Sequence, residues 1–554
     1  IIYKASAGSG KTFTLAQNYL VQLLSKGGSH RYILAVTFTN KATAEMKDRI
    51  VRDLYALASG GRSGHLEMLR AHLGGATETD VRTRARTLLV RMLHDYAAFN
   101  VSTIDHFFQQ TLRAFVREIG LQGNYVVELD AEPVLDEAVD SLLAGLDREG
   151  GDSELFRWLL RFSEQKVERG ETWVLSRDMK TLGRQLFNEH YKALRSADDA
   201  DETAPTVDRK KMTAYSDMLY ATMNAIKGEA RELGEQGLEI MARYGLKPEG
   251  FKWKDKSGLM FFNKLQSGVI DEDPGKRFCQ LPDNLAEWVS GKNAAIEQAY
   301  ADGLNDCVKA VLRFYDTRMR DYLTAQAIAA NFYTLGILGD IAREIRRRSD
   351  EKNRMLIADT AELLTRIIDG SDVPFIYEKT GTRIWHYLID EFQDTSALQW
   401  RNFRPLVADS LGAGYDDLIV GDVKQSIYRF RNSDWTLLDE RIGLDFPTGV
   451  TERTLAENWR SLGRVVEFNN ALFTFFPARL QERYNVGLAE STLPPERCAL
   501  YGGRILRAYA HSRQALPEGR AANAGHVRVE LLEHTGKKEE WQEQAKAQQH
   551  RPSM

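Results

Sequence analysis

The run Lys4-Ala5-Ser6-Ala7-Gly8-Ser9-Gly10-Lys11-Thr12-Phe13 constrains the fold more than any other stretch of the chain. Apolar Ile1-Ile2-Tyr3 precedes it as a short strand. Leu15, Tyr19, Leu20, Leu23 and Leu24 follow at helical spacing until Gly27-Gly28 stops them. A strand, a glycine-rich turn and a helix in that order let backbone N–H groups turn inward around an anion, and the helix N-terminus adds partial positive charge. The expected phosphate cradle is Ala5, Ser6, Ala7, Gly8, Ser9, Gly10, Lys11 and Thr12, with Lys11 against the β and γ phosphates of a nucleotide and Thr12 as a ligand of Mg²⁺. Ala5 stands where the usual pattern opens on glycine, which the loop tolerates because that residue ends the strand. Such a cradle serves kinases, GTPases and ATPases alike.

Arg31 to Phe38, with Ile33, Leu34, Ala35 and Val36 in succession, reads as a strand buried on both faces, and strand–helix–strand order predicts a parallel sheet. Buried-strand patterns return at Trp385 to Ile389 and at Leu418 to Val420. Between about Phe107 and Ile384 lie long amphipathic stretches such as Tyr322 to Arg348, and a polar run, Ala197 to Lys211, expected as a surface loop. The predicted class is α/β: a first P-loop ATPase domain over 1–106 and 385–446, a helical insertion over 107–384, and an incomplete second domain over 447–554. A length of 554 residues accords with about three or four domains.

The strand ending at Ile389 runs into Asp390 and Glu391. Two adjacent carboxylates at the C-terminal end of a buried strand can divide the work of phosphoryl transfer: Asp390 holds Mg²⁺ and Glu391 polarises the attacking water.

Around this pair the sequence becomes specific. Asp390 to Ser396, "DEFQDTS", resembles motif II of the UvrD/Rep-like superfamily 1 DNA helicases; "VTFTNKATAEM" from Val36 resembles their motif Ia, "GDVKQSIYRFR" from Gly421 their motif III and "LAENWRS" from Leu455 their motif IV. The resemblance implies two RecA-like domains closing on ATP and Mg²⁺. It implies that Lys11, Glu391, Gln425 and Arg460 act in hydrolysis, Gln425 and Arg460 at the γ-phosphate, and that Trp459 stacks on the adenine. It implies that Phe38 and Phe430 touch bases of single-stranded DNA, a chemistry suited to grip without sequence reading because every base has a π-face. Thr39, Asn40, Lys41 and Arg431 accompany them. "STIDHFFQQTL" from Ser102 resembles motif Ib, which adds Thr103 and His106, although the histidine stands one place later than the family usually has it.

The long stretch between motifs Ib and II and the form "ASAGSGKTFT" are most similar to the RecB/AddA helicase–nuclease branch. That branch implies 3′–5′ movement on single-stranded DNA, duplex ends as substrate and, as partner, a second helicase–nuclease subunit. A repair helicase without nuclease and a nucleotide-switched DNA-binding protein that never translocates are the alternatives. The loop begins close to Ile1, leaving no room for an upstream Gln motif, and no match to motifs V and VI or to a nuclease signature follows Ser461. An N-terminal piece of a longer protein, weakly active alone, is therefore expected, its polar tail from Glu533 a cut-off helix.

Composition narrows little. Lys plus Arg (74) nearly balance Asp plus Glu (78), so any anion-binding surface must be local. Cys279, Cys307 and Cys498 lack the spacing of a zinc site or a disulfide framework. No apolar run reaches the roughly 18 residues of a membrane helix, and a cytoplasmic location is expected.

Overall fold

The structure is a computed structural model that describes residues 1–25, 27–116, 125–146, 153–168, 170–189, 191–192, 209–289, 291–369, 373–520 and 524–530. The tail from Glu533 and most of the polar run from Ala197 lie outside these residues; the helix Arg209–Arg243 takes up the last part of that run.

The chain divides into two compact units, one made of Ile1–Tyr125 with Ile357–Met554 and the other of Val126–Leu356. Residues 107–125 and 357–384, assigned above to the insertion, therefore fall in the first unit.

The first unit is built on a sheet of six parallel strands: β1 (Ile2–Ala5), β2 (Ile33–Thr37), β3 (Val101–Thr103), β6 (His386–Ile389), β7 (Leu418–Gly421) and β8 (Glu452–Leu455). Their order across the sheet is β3-β2-β6-β7-β1-β8. β4 (Val126–Glu128) and β5 (Arg354–Leu356) form a separate parallel pair in the second unit.

β2 and β7 are buried at every position. Parallel strands covered on both faces must be apolar throughout, which is why these two are plain in the sequence. β8 differs. Its residues Glu452-Arg453-Thr454-Leu455 are mostly exposed, and it pairs along β1 in register Ile2 with Glu452 through Ala5 with Leu455. An edge strand with a solvated face carries no long apolar signal. The stretch assigned to a second domain from 447 thus opens as the outer strand of the first sheet, a correction to the boundary.

Helix α1 (Lys11–Leu24) and helix α2 (Asn40–Ser59) cover the sheet. Leu15, Tyr19, Leu20, Leu23 and Leu24 of α1, at the spacing read from the sequence, join Ile50, Leu54 and Leu57 of α2 and Ile33, Ala35, Leu388 and Val420 of the strands in one core. Burying a Leu or Ile side chain stabilises by roughly 1.5–3 kcal/mol, so this core fixes the strands whose tips carry the site. Helix α3 (Ile104–Ala114) follows β3, helix α4 (Ala397–Gly412) follows β6, and helix α5 (Gly463–Ala489) follows β8.

The second unit is helical, with a core of its own that includes Trp158, Phe262, Trp288 and Tyr322. The stretch Tyr322 to Arg348 is two helices, Asn305–Leu335 and Leu338–Glu351. A Cβ at Gly336 would meet the Trp158 indole at 2.5 Å, so the break sits where an aromatic ring packs against the backbone. In the run Arg343 to Arg348, Arg343 is engaged with Asp340, Arg347 with Glu344 and Glu351, and Arg348 with Glu344.

Candidate functional site

At the C-terminal edge of the sheet, β1 ends at buried Ala5 and the loop Ser6 to Gly10 turns into α1. Gly8 (φ 80°) and Gly10 (φ 86°) adopt the left-handed conformation that other residues avoid, and the Ser9 N–H closes the turn on the Ser6 carbonyl at 3.1 Å. Gly10 caps α1 without a side-chain hydrogen bond, and the first turn holds no acidic residue. The free N–H groups of the first turn are therefore left for an anion. Ser9 Oγ is buried without a partner among the described residues.

The acidic tip of β6 lies against this loop. Lys11 Nζ donates to Glu391 Oε2 at 2.7 Å and to Gln425 Oε1 at 3.3 Å, joining residues 380 and 414 apart in sequence. Glu391 is held at φ 50°, a left-handed conformation in a non-glycine residue that costs about 1–2 kcal/mol. Strain of that kind gathers at functional positions. Gln393 braces the arrangement: its Nε2 donates to Glu391 Oε2 at 2.8 Å and its Oε1 accepts from the Asp422 backbone N–H at 2.8 Å. Asp422 in turn accepts from Gln425 Nε2 at 2.6 Å and pairs with Lys424 Nζ at 2.6 Å.

Burial and the neighbouring Glu391 carboxylate push Asp390 up to about 7, Lys11 pulling the other way. The same two causes push Asp394 up to about 6. Two buried carboxylates with too little positive charge beside them suit a divalent cation. Mg²⁺ takes only one or two carboxylates and completes its shell with phosphate oxygens and water.

The turn after β8 packs on the phosphate loop. The Trp459 N–H donates to the Gly8 carbonyl at 2.8 Å. A Cβ on Gly8 would lie 2.9 Å from Arg460 Cβ, and one on Gly10 would lie 3.9 Å from the Trp459 ring. Trp459 is 55% exposed, so an indole face is open beside the loop. Asn458 is buried, and its Oδ1 accepts from the backbone N–H groups of Arg460 and Ser461 at 3.0 and 2.7 Å.

A second cluster, of aromatic rings, belongs to the same unit. Phe38 lies 5.0 Å from Tyr428, Tyr428 lies 5.9 Å from Phe430, and the Arg431 guanidinium stands over both Tyr428 and Phe430. Phe430 is 77% exposed. Tyr428 is the middle ring of this row, which sequence reasoning missed although it stands inside "QSIYRFR". Thr39 caps α2 by accepting from the Ala42 N–H at 3.1 Å, with Asn40 and Lys41 exposed beside it. Thr103 caps α3 by accepting from the His106 N–H at 3.2 Å, and the His106 ring is exposed. The two threonines thus have a structural task in addition to any at the surface. Also missed were Gln393, Asp422, Asn458 and Gln514, polar residues whose role emerges only once distant segments meet.

The family model of the UvrD/REP helicase N-terminal domain matches residues 1–442. The chain belongs to that family. Among curated relatives, it is 24% identical over 500 residues to an ATP-dependent helicase/nuclease subunit of Streptococcus thermophilus, covering 86% of this chain and 38% of that protein. It is 25% identical over 506 residues to the like-named protein of Lactococcus lactis subsp. lactis, and 23% identical over 491 residues to the exonuclease/helicase subunit RexA of Streptococcus pneumoniae, each match covering 85% of this chain and 38% of the relative. The chain therefore spans under two-fifths of the length of these relatives. Among the described residues, no helix is long and apolar enough to cross a membrane.

Proposed function

We propose that the chain is part of an ATP-driven DNA helicase of the helicase–nuclease type, moving 3′–5′ on single-stranded DNA. The observation that carries this reading is the meeting of Lys11, Glu391 and Gln425, from three separate motifs, within hydrogen-bond reach. Lys11 now neutralises Glu391; an arriving γ-phosphate competes for the ammonium and frees the carboxylate. Glu391 then takes the proton of the attacking water while Gln425 donates its amide to the phosphate. Arg460 stabilises the charge that develops on the transferred group, and Trp459 stacks on the base. Thr12 and Asp390 would hold Mg²⁺, which would neutralise phosphate charge.

Phe38, Tyr428 and Phe430 form a row of rings for bases, with Thr39, Asn40, Lys41, Thr103, His106 and Arg431 toward the DNA backbone. Gln425 and Phe430 lie on one short segment, so a change at the nucleotide reaches the DNA contacts through few residues. The relatives' names, helicase/nuclease subunit and exonuclease/helicase subunit, support a helicase–nuclease as the whole protein and a partner protein beside it; duplex ends as its substrate and break repair as its task belong to the same proposal.

The test is ATP hydrolysis with and without DNA. Stimulation by a single-stranded oligonucleotide and by a duplex with a single-stranded tail, lost in F430A, is the expected result. Hydrolysis indifferent to DNA would contradict the reading.

A further inference from the structure

Gln514 lies beyond every motif and beyond the residues matched by the family model, yet it is hydrogen-bonded to the phosphate loop. Its Nε2 donates to the Ala7 carbonyl at 3.0 Å, and its Oε1 accepts from Asn458 Nδ2 at 2.7 Å. Asn458 Nδ2 also reaches the Ala7 carbonyl, at 3.4 Å. Two side-chain amides, 451 and 507 residues away in sequence, converge on one loop carbonyl.

Gln514 is itself fixed. The Asn470 side chain of α5 takes both backbone groups of Gln514, accepting from its N–H at 2.9 Å and donating to its carbonyl at 2.8 Å. Next to it, the Ala515 N–H donates to the Ala456 carbonyl at 2.7 Å, and the Ala515 carbonyl accepts from the Asn458 N–H at 2.8 Å. Asn458, 3% exposed, uses its other amide atom to accept from the N–H groups of Arg460 and Ser461. An amide network of this kind, centred on buried Asn458, orders what it joins. Here it joins the loop to the turn that carries Trp459 and Arg460. The Arg460 side chain makes no hydrogen bond or ion pair of its own among the described residues, so its placement comes from its backbone.

We infer that Gln514 is a positioning residue for Arg460: with Asn458 and Asn470 it locks the Arg460 turn to the phosphate loop, so that the guanidinium sits at the third phosphate of a bound nucleotide. The inference rests on the nucleotide reading above and adds to it a residue that no motif contains. Its consequence is a preference for triphosphate over diphosphate that depends on an amide remote from both.

The experiment measures equilibrium binding of the β,γ-imido analogue of ATP and of ADP, each with Mg²⁺, to the chain and to Q514A, Q514E, N470A, R460A and Q514A/R460A. R460A loses the preference of the wild-type chain for the triphosphate, expected at roughly tenfold. Q514A lowers that preference by about fivefold while ADP affinity stays within about twofold. Q514E, which keeps the shape and turns a carboxylate oxygen toward the Ala7 carbonyl, does the same and covers the case in which Q514A folds poorly. N470A shifts the ratio in the same direction. The double variant is no worse than R460A, because a residue acting through Arg460 has nothing left to position. An unchanged ratio in Q514A and Q514E, an equal loss of both nucleotides, or losses that multiply in the double variant would overturn the inference. A wild-type chain that binds neither nucleotide contradicts the proposed function instead.

Discussion

The segment from Gly421 to Arg431 serves two places that differ in almost every physical respect. At its start, Asp422 is buried and locked by Gln393, Lys424 and Gln425, next to carboxylates pushed up by burial. At its end, Ile427 and Phe430 stand in water, and Tyr428 and Phe430 pack on each other and on Arg431. Under the proposed function, the difference follows from what each place would hold. Phosphate charge in a transition state is stabilised by dipoles fixed in advance, which requires buried groups with every partner in place. Bases of a passing single strand are held by faces that must be free to let go, which requires exposed rings.

This contrast can be broken at its strongest point by R460A. Loss of a cation that acts more strongly on transition-state charge than on the bound triphosphate should lower kcat for ATP by about 10³-fold, with a smaller change in KM. A loss below tenfold would leave Arg460 a surface residue. On the exposed side, F430A should weaken single-stranded DNA binding by about 10- to 100-fold, the share of one or two stacked bases, without a large effect on nucleotide affinity in the absence of DNA. Equal damage to both would mean that the two places are not separable as described.

The opposite edge of the sheet offers a sharper control. Asp417 is buried, its Oδ1 accepting from the Tyr387 N–H and from Ser410 Oγ while Oδ2 has no partner among the described residues, and burial pushes it up to about 7. A carboxyl raised in the folded state binds its proton more tightly there than in the unfolded chain. Its burial therefore costs stability that grows as pH rises from about 4 toward 7 and is fully felt above 7. Urea midpoints across that range should fall with pH, and D417N should flatten the slope by an amount on the order of 1–3 kcal/mol across the window. A slope unchanged in D417N would show that the carboxyl is not the group responsible. The smallest effect belongs to Lys41, exposed on α2 with only a 4.0 Å pairing to Glu45. K41A should weaken DNA binding by a few-fold and reduce its salt slope by about one, as expected of a single phosphate contact.

The same contrast explains what could be read in advance. β2 and β7 announce themselves because a strand buried on both faces has no polar residue to interrupt it, and the phosphate loop because its glycines, lysine and threonine are contiguous. The acidic pair, Gln425, Arg460 and Phe430 came from segments long and unusual enough to resemble a family. Tyr428 was hidden by standing between two conspicuous residues. Gln393, Asn458 and Gln514 were hidden for a different reason: an amide gives no signal until the carbonyl it serves is brought to it, and for Gln514 that carbonyl is 507 residues away. β8 was invisible as a member of the first sheet because an edge strand with exposed Glu452, Arg453 and Thr454 has no apolar run. In the helical unit, periodicity gave helices but not their limits, since the break before Leu338 is set by the packing of Trp158.

In the proposed mechanism Glu391, held strained beside Lys11, activates the water that attacks a bound nucleotide. The direct measurement is ATP binding and single-turnover hydrolysis by E391Q, which keeps the side-chain shape and removes the base. The account predicts binding within about threefold of wild type and hydrolysis slower by about 10²- to 10⁴-fold. Hydrolysis at the wild-type rate with binding intact would contradict it.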